Sequence, residues 1–191
     1  MIVRLLLCIY TMLFINIQKS YTQLVHIPDP NFKDCLLKDK SINTNGDNEI
    51  QLAEAEAFKG ILHCNQENIQ DLTGIEAFIN ITALNCAHNQ LTHLNLYANT
   101  HLERLYCNNN QLSQLNLQHN PQLISIICNH NQLTYLFLKN GHNKNIRWLN
   151  VDGNHQLDCI VVDDPQYSTR TWLFDGTRFG GVYAVECDGK Y

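Results

Sequence analysis

Between Asn43 and Glu54 the chain sets out six oxygen donors at intervals that suit a hard cation. Counted from Asn43, side-chain oxygens fall at positions 1 (Asn43), 3 (Asn45), 5 (Asp47) and 9 (Gln51). The backbone carbonyl of Glu49 takes position 7, the carboxylate of Glu54 position 12, and Ile50 the apolar position 8. That spacing matches the calcium-loop template, so calcium is the candidate cofactor. Two residues depart from it. Asn43 replaces the first Asp, and Asn48 replaces the Gly of the sharp turn, where Asn is the next-best residue for left-handed backbone. Only Asp47 and Glu54 bring formal charge, so the expected affinity is modest, about 10⁻⁴–10⁻³ M. Such an ion would pin the segment and catalyse nothing. The competing expectation is a turn held by Asn and Gly propensity alone.

Two helices must carry this loop. Asp29-Pro30 supplies an N-cap and a first-turn proline, with Phe32, Leu36 and Leu37 on one side. Gln51 to Phe58 forms the second helix, stopped by Gly60.

From residue 84 the chain falls into register with itself. Leu84-x-Cys86-x-x-Asn89-x-Leu91-x-x-Leu94-x-Leu96-x-x-Asn99 recurs as Leu105 to Asn120, and again from Ile126 to Leu138. The period is 21 residues, with a half-period of 10 or 11 inside it. A degenerate copy precedes the run (Leu62, Cys64, Ile69, Leu72, Ile75), and another follows it (Leu149, Val151, Asn154, Leu157) after a bulge at Gly141 to Asn145. An L-x-L step places two side chains on one face of a strand too short to stand alone. Successive coils must therefore stack as a parallel ladder about 4.7–4.9 Å apart. Asn89, Asn110 and Asn131 form one structural row, satisfying backbone groups where the chain turns inward, and Asn99, Asn120 and Asn154 are expected to form a second.

The ladder decides what the cysteines and histidines can do. Cys64, Cys86, Cys107 and Cys128 take one inward position in successive coils. Four thiols stacked in a column cannot converge on one zinc, so they are expected to be free and packed like Ala or Val. His88 and His130 would stand two rungs apart, about 9–10 Å, too far to share one ion. No G-x-S-x-G, H-E-x-x-H or glycine-rich phosphate loop is present.

This run resembles a leucine-rich repeat of the nested 21-residue bacterial kind, over roughly residues 61–160. With Ile27-Pro28-Asp29-Pro30, Asp71-Leu72-Thr73-Gly74-Ile75-Glu76 and Asp158-Cys159-Ile160 added, the chain is similar to secreted bacterial leucine-rich-repeat proteins of internalin and adhesin type. The resemblance implies an α/β repeat, a curved solenoid with one strand per coil on its concave side, a helical N-terminal cap and an irregular C-terminal cap. In the nested kind the second half-repeat can add an extended segment on the opposite side.

The expected domains are a signal peptide at 1–22, the helical cap at 23–60, the repeats at 61–160 and the C-terminal cap at 161–191. Arg4, then the apolar stretch Leu5 to Ile17, then polar Gln18 to Ser20 read as a secretory signal. No apolar run beyond it could span a bilayer. Its removal also takes Cys8 and leaves seven cysteines, an odd number for an oxidising compartment. The last coil exposes its core and needs a lid, so a Cys159–Cys187 bridge is expected there. Cys35 is left as the odd thiol on a helix face.

Among 191 residues, 13 Lys+Arg against 18 Asp+Glu give a net charge of −5, which disfavours a nucleic-acid partner. Outward positions of the first ladder are Arg104, Tyr106, Ile127, Trp148 and Asn150, with Asn85 and Asn108 beside them; Tyr135 and Phe137 belong to the other half-repeat. Aromatic residues plus Arg on a rigid curved sheet suit recognition of a protein or glycan. The expected function is a secreted, non-enzymatic binding or adhesion module acting through its concave face. The alternatives are a structural or targeting part of a larger exported system without its own ligand, and, remotely, an extracellular hydrolase. The bland reading of Tyr106, Ile127 and Trp148 is cross-strand packing.

Overall fold

The computed structural model describes residues 23–172 and 181–187; the expected signal segment lies outside them. Each full rung contributes two short extended segments. On one side β1 (Gly60–His63), β2 (Ile81–Asn85), β3 (Arg104–Tyr106), β5 (Ser125–Ile127) and β7 (Trp148–Asn150) form a five-stranded parallel sheet in that order. On the other, β4 (Gln114–Asn116), β6 (Tyr135–Phe137), β8 (Cys159–Val161) and β9 (Val182–Ala184) form a four-stranded parallel sheet. The second half-repeat thus builds a ladder of its own, and the chain winds as a two-sheet solenoid.

Strands of three to five residues hold only because every rung buries the same positions. Leu62, Leu84, Leu105, Ile126 and Leu149 pair in register and are buried. Leu115, Leu136 and Ile160 do the same from the opposite sheet. Both rows belong to one continuous core. Burying a Leu or Ile side chain is worth about 1.5–3 kcal/mol, so stacking, and not strand propensity, sets the fold.

The asparagine row closes the corner after the first sheet. Asn110 donates from Nδ2 to the carbonyls of Cys86 (3.0 Å) and Cys107 (3.1 Å) and accepts at Oδ1 from Leu91 N (3.0 Å). Asn89 and Asn131 repeat the pattern one rung to either side. Asn154 belongs to this row and not to the second, bonding the carbonyls of Cys128 and Val151 and accepting from Leu133 N. The bulge, a 3-10 turn at Asn143–Asn145, shifts the count without breaking the ladder. In the second row Asn99 and Asn120 each bond two carbonyls of the preceding rung, and Asn140 continues it to Asn120 O.

One row crosses that corner unannounced by residue type. Gln66, His88, Asn109, His130 and Gly153 each lie two residues past the inward position, and all are left-handed, with φ between 53° and 71°. Asn and His tolerate that region better than most L-residues, and Gly adopts it freely.

The N-terminal cap is stitched on by Asp29. Its Oδ1 accepts from Asn31 N and Phe32 N at the start of α1 (Pro30–Lys38), and its Oδ2 from Gln70 N and Asp71 N of the first coil. Desolvation pushes this carboxyl's pKa up, but the four backbone N–H donors outweigh it and hold the group below the usual carboxylate range.

Cys35 is not the odd thiol: it is bonded to Cys64, with Cα atoms 5.8 Å apart. Cys64 therefore leaves the column of free cysteines, because it lies on the first coil, next to the helix that lids it. Cys86, Cys107 and Cys128 remain free and buried, and burial pushes the thiols of Cys86 and Cys128 up to about 12. The expected Cys159–Cys187 bridge is present. The C-terminal cap is more regular than expected. It carries α3 (Pro165–Thr171), and β9 adds a rung to the second sheet. Trp172 and Tyr183 meet edge to face at 5.5 Å over the end of the core.

Candidate functional site

Alternation along each strand splits the five-stranded sheet into an inward row of aliphatic residues and two outward rows. Ile61, Ala83, Arg104, Ser125 and Trp148 make one outward row; His63, Asn85, Tyr106, Ile127 and Asn150 make the other. All five residues expected on the recognition face, Arg104, Tyr106, Ile127, Trp148 and Asn150, thus share one surface. Trp148 is 53% exposed, while Tyr106, Ile127 and Asn150 are half-buried between neighbours. Cross-strand packing and outward presentation therefore coexist. Ile61, His63, Ala83 and Ser125 join the face without having been expected there. The register that places them was implicit in the degenerate first coil and the L-x-L spacing.

Small residues shape this surface. Buried Ala83 and Ser125 separate Ile61, Arg104 and Trp148, so the large side chains stand over small neighbours. Arg104 Nη1 lies 3.6 Å from Glu103 Oε2, both side chains being over a third exposed, a pair worth little in stability. Asn85 and Asn150 are pinned alike: Oδ1 of each accepts from the backbone N–H two residues on, Ala87 and Asp152. That leaves their Nδ2 groups aimed by the backbone.

Tyr135 and Phe137 do not belong to this face. They lie on the outer side of the second sheet, packed with Cys159, Val161, Ala184 and Cys187. The disulfide and the strand-like tail thus build a small second core there. His88 and His130 are exposed corner residues, and the His130 backbone and ring would touch any Cβ added at Gly153.

The loop Asn43 to Glu54 is closed by its own bonds. Glu54 Oε1 accepts from Thr44 N, Thr44 Oγ1 and Asn45 N, and Oε2 accepts from Gln51 N at the start of α2 (Leu52–Ala57). Amide N–H groups turn inward: Asn43 donates to Asp47 O, while Asn45 and Gln51 both donate to Asp47 Oδ2. The left-handed residue is Gly46, φ 73°, two positions before Asn48, because glycine pays no Cβ penalty there. Asn48 therefore does not stand in for the sharp-turn glycine. Asp47 and Glu54, the two charged donors, are thus engaged by N–H groups of the loop itself, and a calcium ion would have to displace these bonds to bind. Among the described residues no group of three or more His, Cys, Asp or Glu is placed to hold a metal.

No protein-family model and no curated protein matches this sequence. Solved structures do. The chain is similar to the internalin InlF of Listeria monocytogenes (19% identity, TM-score 0.56, 71% of this chain and 43% of that one). It is also similar to internalin C2 of the same organism (14% identity, TM-score 0.54, 78% and 84%). The functional domain of InlJ from L. monocytogenes overlaps at 22% identity and a TM-score of 0.49, over 69% of this chain and 37% of that one. The chain spans less than half the length of the InlF and InlJ structures. At these identities the likeness speaks for the fold, and the register, the asparagine row and the two parallel ladders speak for it independently: this chain has the leucine-rich-repeat fold carried by the internalins.

Proposed function

We propose that the protein is an exported, non-enzymatic binding module that acts through the open face of the five-stranded sheet. One observation carries this reading. Arg104, Tyr106, Ile127, Trp148 and Asn150 share an outward surface with an indole 53% exposed on a rigid ladder. Large aromatics so presented are common anchors of recognition, and a sheet locked by in-register rungs loses little entropy on binding. Two disulfides support an oxidising compartment, as does the apolar segment after Arg4. Among the described residues no helix is long and apolar enough to cross a membrane. The partner is a protein or a glycan.

Half-burial of Tyr106 and Ile127 favours the second reading, a solenoid that is a structural part of a larger exported system. Alanine at Arg104, Tyr106 and Trp148 separates the two. Lost partner capture with an unchanged melting temperature supports the binding face. A lowered melting temperature with capture intact supports packing alone.

A further inference from the structure

Resting on the binding reading of the same face, we infer that its ligand is an extended, uncharged, β-linked hexose polymer crossing the strands with one ring per rung. The geometry begins with spacing. His63, Asn85, Tyr106, Ile127 and Asn150 are direct neighbours on five adjacent parallel strands, each step being about 4.7–4.9 Å. An extended β-1,4-linked hexose chain advances by slightly more than that step per ring, with alternate rings turned over. A chain laid across the sheet meets a new strand at each ring and drifts by only a fraction of a ring over the three steps from Asn85 to Asn150.

The chemistry on the face fits sugar rings. Tyr106 offers an aromatic surface to C–H groups in the middle of this row, and exposed Trp148, in the second outward row, offers another on the same strand as Asn150. Asn85 and Asn150 flank Tyr106 and Ile127 with carboxamides fixed by their own backbone. A carboxamide both donates and accepts, which suits neighbouring hydroxyls. Pinning also removes part of the entropy cost of binding.

Charge matches as well. Of the ten residues in the two outward rows, only Arg104 is formally charged, and Glu103 lies 3.6 Å from it. A near-neutral centre to this face, bordered by Lys59, Glu103, Arg147 and Asp152, suits an uncharged polymer lying along the two outward rows.

Binding of β-1,4-linked glucose and N-acetylglucosamine hexamers and trimers to the full chain, read by calorimetry and tryptophan quenching, tests this. At least one hexamer is expected to bind about tenfold or more tightly than its trimer and to quench exposed Trp148. Trp148→Ala should abolish the quench, Asn150→Ala should weaken binding about threefold, and added salt should leave affinity unchanged. Three results would each overturn the inference: no binding by either hexamer, equal affinity for hexamer and trimer, or full affinity in both variants. If both sugars fail while a purified protein partner is lost on the same alanine changes, the glycan falls and the binding face stands. If those changes only lower melting, both fall.

Discussion

Cys64 is disulfide-bonded to Cys35, although it occupies the same inward column as the free thiols of Cys86, Cys107 and Cys128. The bridge joins α1 to the first coil, as Asp29 does from the helix start. Two fastenings hold one short helix over the open end of the core. A solenoid end without such a lid would leave Leu62 and Ile69 facing water.

Thiol counting follows from this pairing. A thiol held near pH 12 by burial is almost wholly protonated at pH 8 and has no route to reagent. In the native protein none of Cys86, Cys107 and Cys128 should react with an aromatic disulfide reagent. In denaturant without reductant these three should react, and Cys35, Cys64, Cys159 and Cys187 should not. A fourth or fifth reactive thiol from that set would break the assignment.

Asp29 makes stability depend on pH. Its folded-state pKa lies below the unfolded value, so its contribution is complete above the unfolded pKa of about 3.9 and fades as pH falls through that value to the folded one. Asp29→Asn, whose Nδ2 cannot accept from Gln70 N or Asp71 N, should cost about 1–3 kcal/mol at neutral pH. Urea titrations should show that gap narrowing from about pH 4 downward. A gap independent of pH would rule out the charged, four-donor arrangement.

The left-handed corner predicts opposite signs at its two ends. Gly153→Ala places a Cβ 3.1 Å from His130 Cδ2 at φ 71°, and should lose about 1–2 kcal/mol. Gln66→Gly relieves the same backbone penalty and should gain about 0.5 kcal/mol, the unfolded-state entropy of glycine offsetting the rest. Denaturation midpoints of both variants check this. Two losses of similar size would show that the corner is not under a shared constraint.

Calcium should not matter to the cap. With Glu54 accepting from Thr44, Asn45 and Gln51, millimolar calcium is expected to leave the melting temperature where a chelator leaves it. A rise on adding calcium would show that the loop rearranges around an ion.

The sequence makes rungs legible and ends illegible. Leu84, Leu105 and Ile126 lie 21 residues apart, and that repetition alone gives strand, register and core, because a period can be satisfied only by stacking. It also places Arg104, Tyr106, Ile127, Trp148 and Asn150 on one surface. The pairing of Cys64 is not legible, because Cys64 obeys the period while its partner Cys35 comes from outside the repeat. The spacing puts Asn154 in the second row while its hydrogen bonds put it in the first, because the bulge at Asn143–Asn145 shifts the count and leaves those bonds unchanged. The donors at Asn43 to Glu54 match a template in spacing, but spacing alone does not reveal that Glu54 is bonded by the backbone of Thr44, Asn45 and Gln51.

Nuclear Overhauser contacts across the rungs test the central claim most directly, since they report which chain segments lie one strand apart in solution. Backbone contacts should link Leu84 to Leu105, Leu105 to Ile126 and Ile126 to Leu149, and separately Leu115 to Leu136 and Leu136 to Ile160, all in the parallel pattern. Antiparallel contacts within any of these pairs, or contacts joining Leu105 directly to Leu115 as hairpin partners, would contradict the stacked ladder and the binding face built on it.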